Sequence, residues 1–213
     1  MARPSSPLLS REKIGRAAIG MIDDGGELKI QPLAKELGVS LSSIYHHVDG
    51  REGVIHAMRE VLSAEYALNI PDQGSWKEDL KAKMDSLWRL YSDHPRVMIH
   101  LLGVTVEEPR TLTLYESLID VLVSAGVPET ELLTTIEVLD AFAFGAALDA
   151  LSPQVIFSPE SEDSRLTKLI ENHPAGAERN HLLYRRGLDF IIAGIEAGIP
   201  QSQPLTARTR SNR

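Results

Sequence analysis

The chain of 213 residues is predicted to be all-α. Apolar residues recur at helical spacing in segment after segment, glycine and proline collect at the ends of those segments, and long alternating runs of β-branched residues are scarce. The apolar fraction of 43 % is enough for a substantial core, and the length suits one large or two small domains. No internal repeat is evident. No apolar segment approaches the ~20 residues of a membrane span, and the opening MARPSSPLLSRE lacks the apolar centre of a secretion signal. A cytoplasmic protein without a membrane partner is therefore expected. The absence of cysteine excludes disulfides, thiolate metal sites and a cysteine nucleophile.

Residues 1–9 form a Pro/Ser-rich arm, expected to be disordered, in which Arg3 could reach a phosphate or a minor groove. Ser10 can cap a first helix reaching about Asp23, where Ile14, Ala17, Ala18, Met21 and Ile22 make one apolar stripe. Asp24-Gly25-Gly26 ends it. A second helix starts near Pro32, which suits a first turn, and turns Leu33, Ala34 and Leu37 inward. Gly38 supplies the stop, Val39 fills the corner, and Ser40 is placed to cap a third helix whose inward residues are Ile44 and Val48. That leaves Leu41, Ser42, Ser43, Tyr45, His46 and His47 facing outward on a helix narrow enough for a DNA major groove, which is about 12 Å wide. The spacing is that of a helix-turn-helix. A helical hairpin that merely packs is the plain alternative.

Leu33-Ala34, Leu37-Gly38-Val39-Ser40, Ile44-Tyr45 and His47-Val48, followed by Arg51, closely resemble the DNA-binding region of the Tet repressor family of bacterial transcriptional regulators. The resemblance implies that Leu41, Ser42 and Ser43 read bases, that Tyr45 and His47 touch phosphates or nearby bases, and that Arg51 stands by a phosphate where the family generally has Lys. His46 is a further candidate on the same helix. Two histidines protonated beside phosphates would make DNA affinity fall as pH rises through the histidine range. The family usually offers Ser or Thr at the start of the second helix; Lys29 and Ile30 stand there instead, so Lys29 and Gln31 become the candidates for backbone contact. Charge gives this reading little help. Residues 1–68 hold three Lys and five Arg against nine carboxylates, a balance of −1, and the remainder carries −7 of the net −8. Few phosphate contacts are expected, supplemented by uncharged donors.

Asp49 and Glu52 have capping-box spacing for a fourth helix running to about Leu68, with Val54, Ile55, Met58, Val61, Leu62 and Tyr66 apolar. It would link a DNA-binding domain, 1–70, to a second helical domain, 71–213, with the boundary at Pro71 to Ser75. There Ser75 caps a helix with Trp76, Leu80, Met84, Leu87, Trp88 and Tyr91 on one face, broken by His94-Pro95. A short helix near 97–103 follows. The next, over 107–125, has Pro109 in its first turn, Leu112, Tyr115, Ile119 and Leu122 inward, and Gly126-Val127-Pro128 at its end. A helix over about 129–151 is apolar around much of its circumference through FAFGAALDAL. A loop over 152–163, a short helix near 166–170, a long helix over about 177–197 and a polar tail from Pro200 complete the chain.

The two long late helices resemble those that form the family's dimeric four-helix interface, with ordinary core as the alternative. The resemblance also implies a ligand pocket in the second domain. Trp88, Tyr91, Met98, His100, Tyr115, Phe142 and Phe144 are the bulky candidates for it, and His100, Glu137 and Asp140 the polar ones, since a polar group inside an apolar bundle needs a partner. No metal-ligand spacing is present, His94 and His100 being six apart, and no cofactor is expected. The reading is a homodimeric, effector-released repressor on a near-palindromic double-stranded operator. A helical carrier or enzyme with a vestigial helix-turn-helix is the alternative, and an adaptor using the histidine-bearing helix for protein contact is a third. Against catalysis stands the lack of a Gly-rich phosphate loop, a Ser/His/Asp arrangement or paired carboxylates.

Overall fold

The Ser10 hydroxyl accepts the Lys13 backbone N–H at 3.2 Å, and α1 (Arg11–Asp23) begins there. The computed structural model describes residues 9–66, 70, 73–160 and 164–199. Arg3 and most of its arm, Ala67 and Leu68, Pro71 and Asp72, the end of the 152–163 loop and the tail from Pro200 lie outside the described residues. Leu9, placed by composition in the arm, is buried against the core.

Two short helices, α2 (Ile30–Glu36) and α3 (Leu41–His47), follow α1, and then the longer α4 (Gly50–Glu65). Gly38, at φ +66°, makes the corner between α2 and α3 in the left-handed region that a side chain resists. Leu33, Ile44 and Val48 are buried with Ile14, Ala18 and Ile22 of α1 in one core. A Cβ at position 15 would collide with the Ala57 carbonyl, so Gly15 is what lets α1 and α4 cross backbone to backbone.

The second half contains α5 (Trp76–Asp93), α6 (Pro95–Leu101), α7 (Pro109–Ala125), α8 (Glu129–Leu148), α9 (Arg165–Glu171) and α10 (Gly176–Gly198), with a 3-10 turn over Asp149–Leu151. Ser75 and Ser164 cap α5 and α9 through their hydroxyls, and Gly126, left-handed at φ +91°, ends α7. α5 packs on α7 and α8, α8 packs on α10, and α6 touches α1, α4, α5 and α8. The small helix α6 is thus wedged between the two halves. Among the described residues all regular structure is helical, and no helix is long and apolar enough to cross a membrane.

Two sequence expectations need correction. Asp49 stands at the start of α4 but its carboxylate caps nothing; Gly50, at φ +64°, turns the chain there instead. On α7 the buried stripe is Leu114, Leu118, Val121, Leu122 and Ala125, while Leu112 is 44 % exposed and Tyr115 and Ile119 are only partly covered. The segment LTLYESLIDVLV offers two overlapping apolar stripes, and the neighbouring α5 and α8 decide which one is used.

Candidate nucleic-acid interface and effector cavity

The capping hydroxyl of Ser40 does more than start α3. It accepts the Ser43 N–H at 3.2 Å and lies 2.9 Å from Ser42 Oγ and 2.8 Å from Ser43 Oγ, so the two candidate base readers begin in a shared hydroxyl cluster. A rotation about χ1 frees either for a base edge. Burial of Ile44 holds the opposite face, leaving Leu41 40 % and Tyr45 54 % exposed. His46 and His47 meet edge to face, their centroids 5.5 Å apart. Arg11 donates to the His47 carbonyl at 3.4 Å and to Glu60 at 3.0 Å, tying α1, the end of α3 and α4 together. Lys29 pairs with Glu27 at 2.6 Å, Gln31 is exposed, and Arg51 donates to His100 Nδ1 at 3.0 Å. None of the nine candidates for DNA contact is buried, so a duplex could meet all of them without unfolding anything. Both cations would first exchange an intramolecular partner.

Behind the reader, α4 to α8 enclose a cavity of about 240 Å³. Tyr91, Met98, Tyr115, Asp140 and Phe144 line it, together with Leu62, Leu87, Leu101 and Thr111. Tyr91 donates to Asp140 Oδ1 at 2.6 Å and Tyr115 donates to the same oxygen at 3.3 Å. Burial raises the Asp140 pKa against the opposing pull of the two phenols. Burial, and then the Asp140 charge, push the Tyr115 hydroxyl up to about 12.

The other four candidates for ligand contact lie outside this lining. Trp88 stacks on Tyr184 of α10 at 4.4 Å, and Phe142 stacks on Tyr184 at 6.0 Å while filling the space above Gly187. Glu137 is exposed, and His100 faces Arg51. Desolvation, with Arg51 adding to it, lowers the His100 pKa.

Sequence reasoning passed over the residue that joins reader to cavity. Arg59 of α4 lines the cavity and is 6 % exposed. Its Nη1 donates to both Glu108 oxygens at 3.1 Å and to the Thr105 carbonyl at 2.9 Å; its Nη2 donates to the Leu101 and Val104 carbonyls, each at 2.8 Å. His56 Nδ1 lies 2.7 Å from Glu108 Oε1. One guanidinium therefore fastens α4 to the end of α6 and to the whole loop that leads into α7. Glu108 occupies the N-cap position of α7 without capping it, because its carboxylate is turned to Arg59 and His56. The signal was in the sequence: Ile55, Arg59 and Leu62 share the inward face of α4 at helical spacing. A second tie runs beside it, His94 Nδ1 lying 2.7 Å from Asp23 Oδ2 at the end of α1.

α8 and α10 leave Leu133, Val138, Leu183 and Phe190 uncovered, Phe190 at 73 % and Leu133 at 68 %. A hollow of about 480 Å³ between them is floored by Val138, Ile191 and Ile195. Apolar side chains exposed in this density are the kind that mark an interaction surface.

The family model described as "Tetracyclin repressor-like, C-terminal domain" matches residues 70–199. An HTH-type transcriptional regulator of Saccharopolyspora erythraea is 24 % identical over 209 residues, which cover 91 % of this chain and 87 % of that protein. Tetracycline repressor protein class D of Escherichia coli is 24 % identical over 199 residues, covering 88 % of this chain and 89 % of the repressor. The crystal structure of the Streptomyces coelicolor TetR family protein ActR in complex with actinorhodin has the same fold, with a TM-score of 0.73 at 23 % identity over 92 % of this chain and 100 % of that one.

Proposed function

The chain belongs to the tetracycline repressor-like family, and on that premise we propose that it is a ligand-responsive transcriptional regulator: a repressor that grips a near-palindromic DNA operator as a homodimer and releases it when a small molecule enters the α4–α8 cavity. The observation that carries this reading is the position of α4. Its N-terminus adjoins the exposed α3, and its Arg59 lines the cavity, so occupancy and reader orientation share one rigid element. A carrier or an enzyme would leave the exposed α3 without a use.

In this reading 1–70 is the reader domain and 71–213 the sensor domain. Ser42 and Ser43 read base edges, Leu41 packs on a thymine methyl, and Tyr45, His46, His47, Lys29, Gln31 and Arg51 hold phosphates or neighbouring bases. The uncovered faces of α8 and α10 pair with their copies in the dimer, which sets two α3 helices to successive major grooves about 34–36 Å apart. Effector binding favours a sensor state in which that spacing is lost; a coupling of about 1–3 kcal/mol suffices. A protein working on DNA in this way resides in the cytoplasm.

The test uses a duplex selected by the protein from a random pool. Its affinity should fall steeply with salt, and half-site spacing should matter. Salt-independent binding, or equal affinity for scrambled DNA, would remove the proposal.

A further inference from the structure

The chemistry of the cavity wall narrows what can enter it. Its charged lining residues are Arg59 and Asp140. Both terminal nitrogens of Arg59 are taken up by Glu108 and three backbone carbonyls, so it offers an anionic guest little. Asp140 is the opposite case. Both tyrosines donate to its Oδ1, and Oδ2 receives no hydrogen bond from a described residue. The wall therefore presents one carboxylate without a countercharge, set among the rings of Tyr91, Tyr115 and Phe144, whose faces also attract a cation. Thr111, also on the lining, has a buried hydroxyl with no partner among the described residues.

Size narrows it again. A cavity of about 150 Å³ takes benzene, and ordinary ligand pockets run to about 300–1,000 Å³; at about 240 Å³ this one suits a body of one or two rings.

We propose that the cavity takes a small amphiphilic amine, its protonated nitrogen on Asp140 Oδ2 and its hydrocarbon body against Leu87, Met98, Leu101 and Phe144. This rests on the reading of the cavity as the effector site. Carboxylic acids are rejected, because they would bring a second negative charge to a wall with no available cation. Burial, which already disfavours the ionised form of Asp140, is relieved when an ammonium supplies the missing charge.

Calorimetry on the full chain near pH 7 with three probes of one shape (naphthylmethylamine, methylnaphthalene and naphthoate) tests it. The amine should bind about tenfold or more tightly than either of the others, the yield of one charge-assisted hydrogen bond. Asp140→Asn should weaken the amine by about tenfold and leave methylnaphthalene unchanged. Naphthoate binding as well as the amine, no binding by any probe, or an unchanged amine affinity in Asp140→Asn would overturn it. The series on the unmodified chain decides alone if that variant fails to fold. Anisotropy of the selected duplex separates the two levels of the argument. Release by naphthoate and not by the amine sinks this inference and keeps the regulator. Amine binding by a chain that never holds a duplex does the reverse.

Discussion

Removing the Glu108 charge isolates the join between the two halves. In Glu108→Leu the Arg59 guanidinium stays buried with three carbonyls but no counter-ion, and His56 loses the nearer of its two carboxylates, keeping Glu107 at 3.3 Å. Breaking a buried ion pair from one side typically costs 3–5 kcal/mol; the three remaining carbonyls put this case at the lower end, about 3 kcal/mol. For a chain of this length that corresponds to a fall in melting temperature of roughly 6–12 °C. Arg59→Met combined with Glu108→Leu removes both charges, and stability should recover part of that loss, the remainder coming from the Leu101, Thr105 and Val104 carbonyls that lose their donor. Urea unfolding followed by circular dichroism, at one fixed protein concentration because dimerisation contributes, supplies the numbers. The double variant should still bind operator yet respond poorly to effector, its α4 no longer fastened to the loop before α7. A single variant within about 0.5 kcal/mol of the parent, or a double that falls as far as the single, would refute the reasoning.

Gly15→Ala drives a methyl group into the Ala57 carbonyl; a loss of about 1–3 kcal/mol is expected, with weakened operator binding because α4 must shift, and thermal melts with anisotropy would show both. Phe190→Asp places a charge on the uncovered face of α10 and should turn the dimer into a monomer by sedimentation without unfolding it. Tyr45→Phe and Arg51→Ala should weaken binding to most duplexes alike, whereas Ser43→Ala should relax preference at one base pair, as selection from a random pool would reveal. Stability should also depend on acid in a defined direction. Burial alone would raise the Glu108 pKa, but the His56 hydrogen bond, the backbone and Arg59 outweigh it and the net shift is downward. Its contribution is therefore fully present above the ordinary value of 4.5 and disappears as pH falls through the lower folded-state value. The gap between the parent and Glu108→Leu should close over that acid range. Asp140 runs the other way, since its raised pKa means that acid relieves a cost.

The reader was legible because its chemistry is local. A left-handed Gly38, a capping Ser40 and the pair Ile44 and Val48 each declare themselves within a few residues, and the structure uses them as the spacing predicts. Asp49 stands at the start of α4 but caps nothing, since the next residue, Gly50 at φ +64°, makes the turn there. The sensor was harder to read. Helices apolar on more than one side, such as α7 and α8, leave the choice of inward face to their neighbours, and so Leu112 was expected inside and Leu114 was not singled out. The cavity divides the bulky side chains for the same reason. Phe142 and Phe144 are two residues apart on α8, yet one packs on α10 and the other lines the α4–α8 cavity. Arg59 was overlooked because a lone cation on an amphipathic helix reads as solvated, although its register placed it among Ile55 and Leu62.

The stack of Trp88 on Tyr184 also gives the molecule a gauge of its own. The chain has only two indoles, and this one lies face to face with a phenol at 4.4 Å and near His181 at 5.5 Å, so its emission should respond to rings that belong to another helix. Any event that slides α10 along α5 changes that overlap before it changes the helix content. Light from the unlabelled protein can therefore time such a movement.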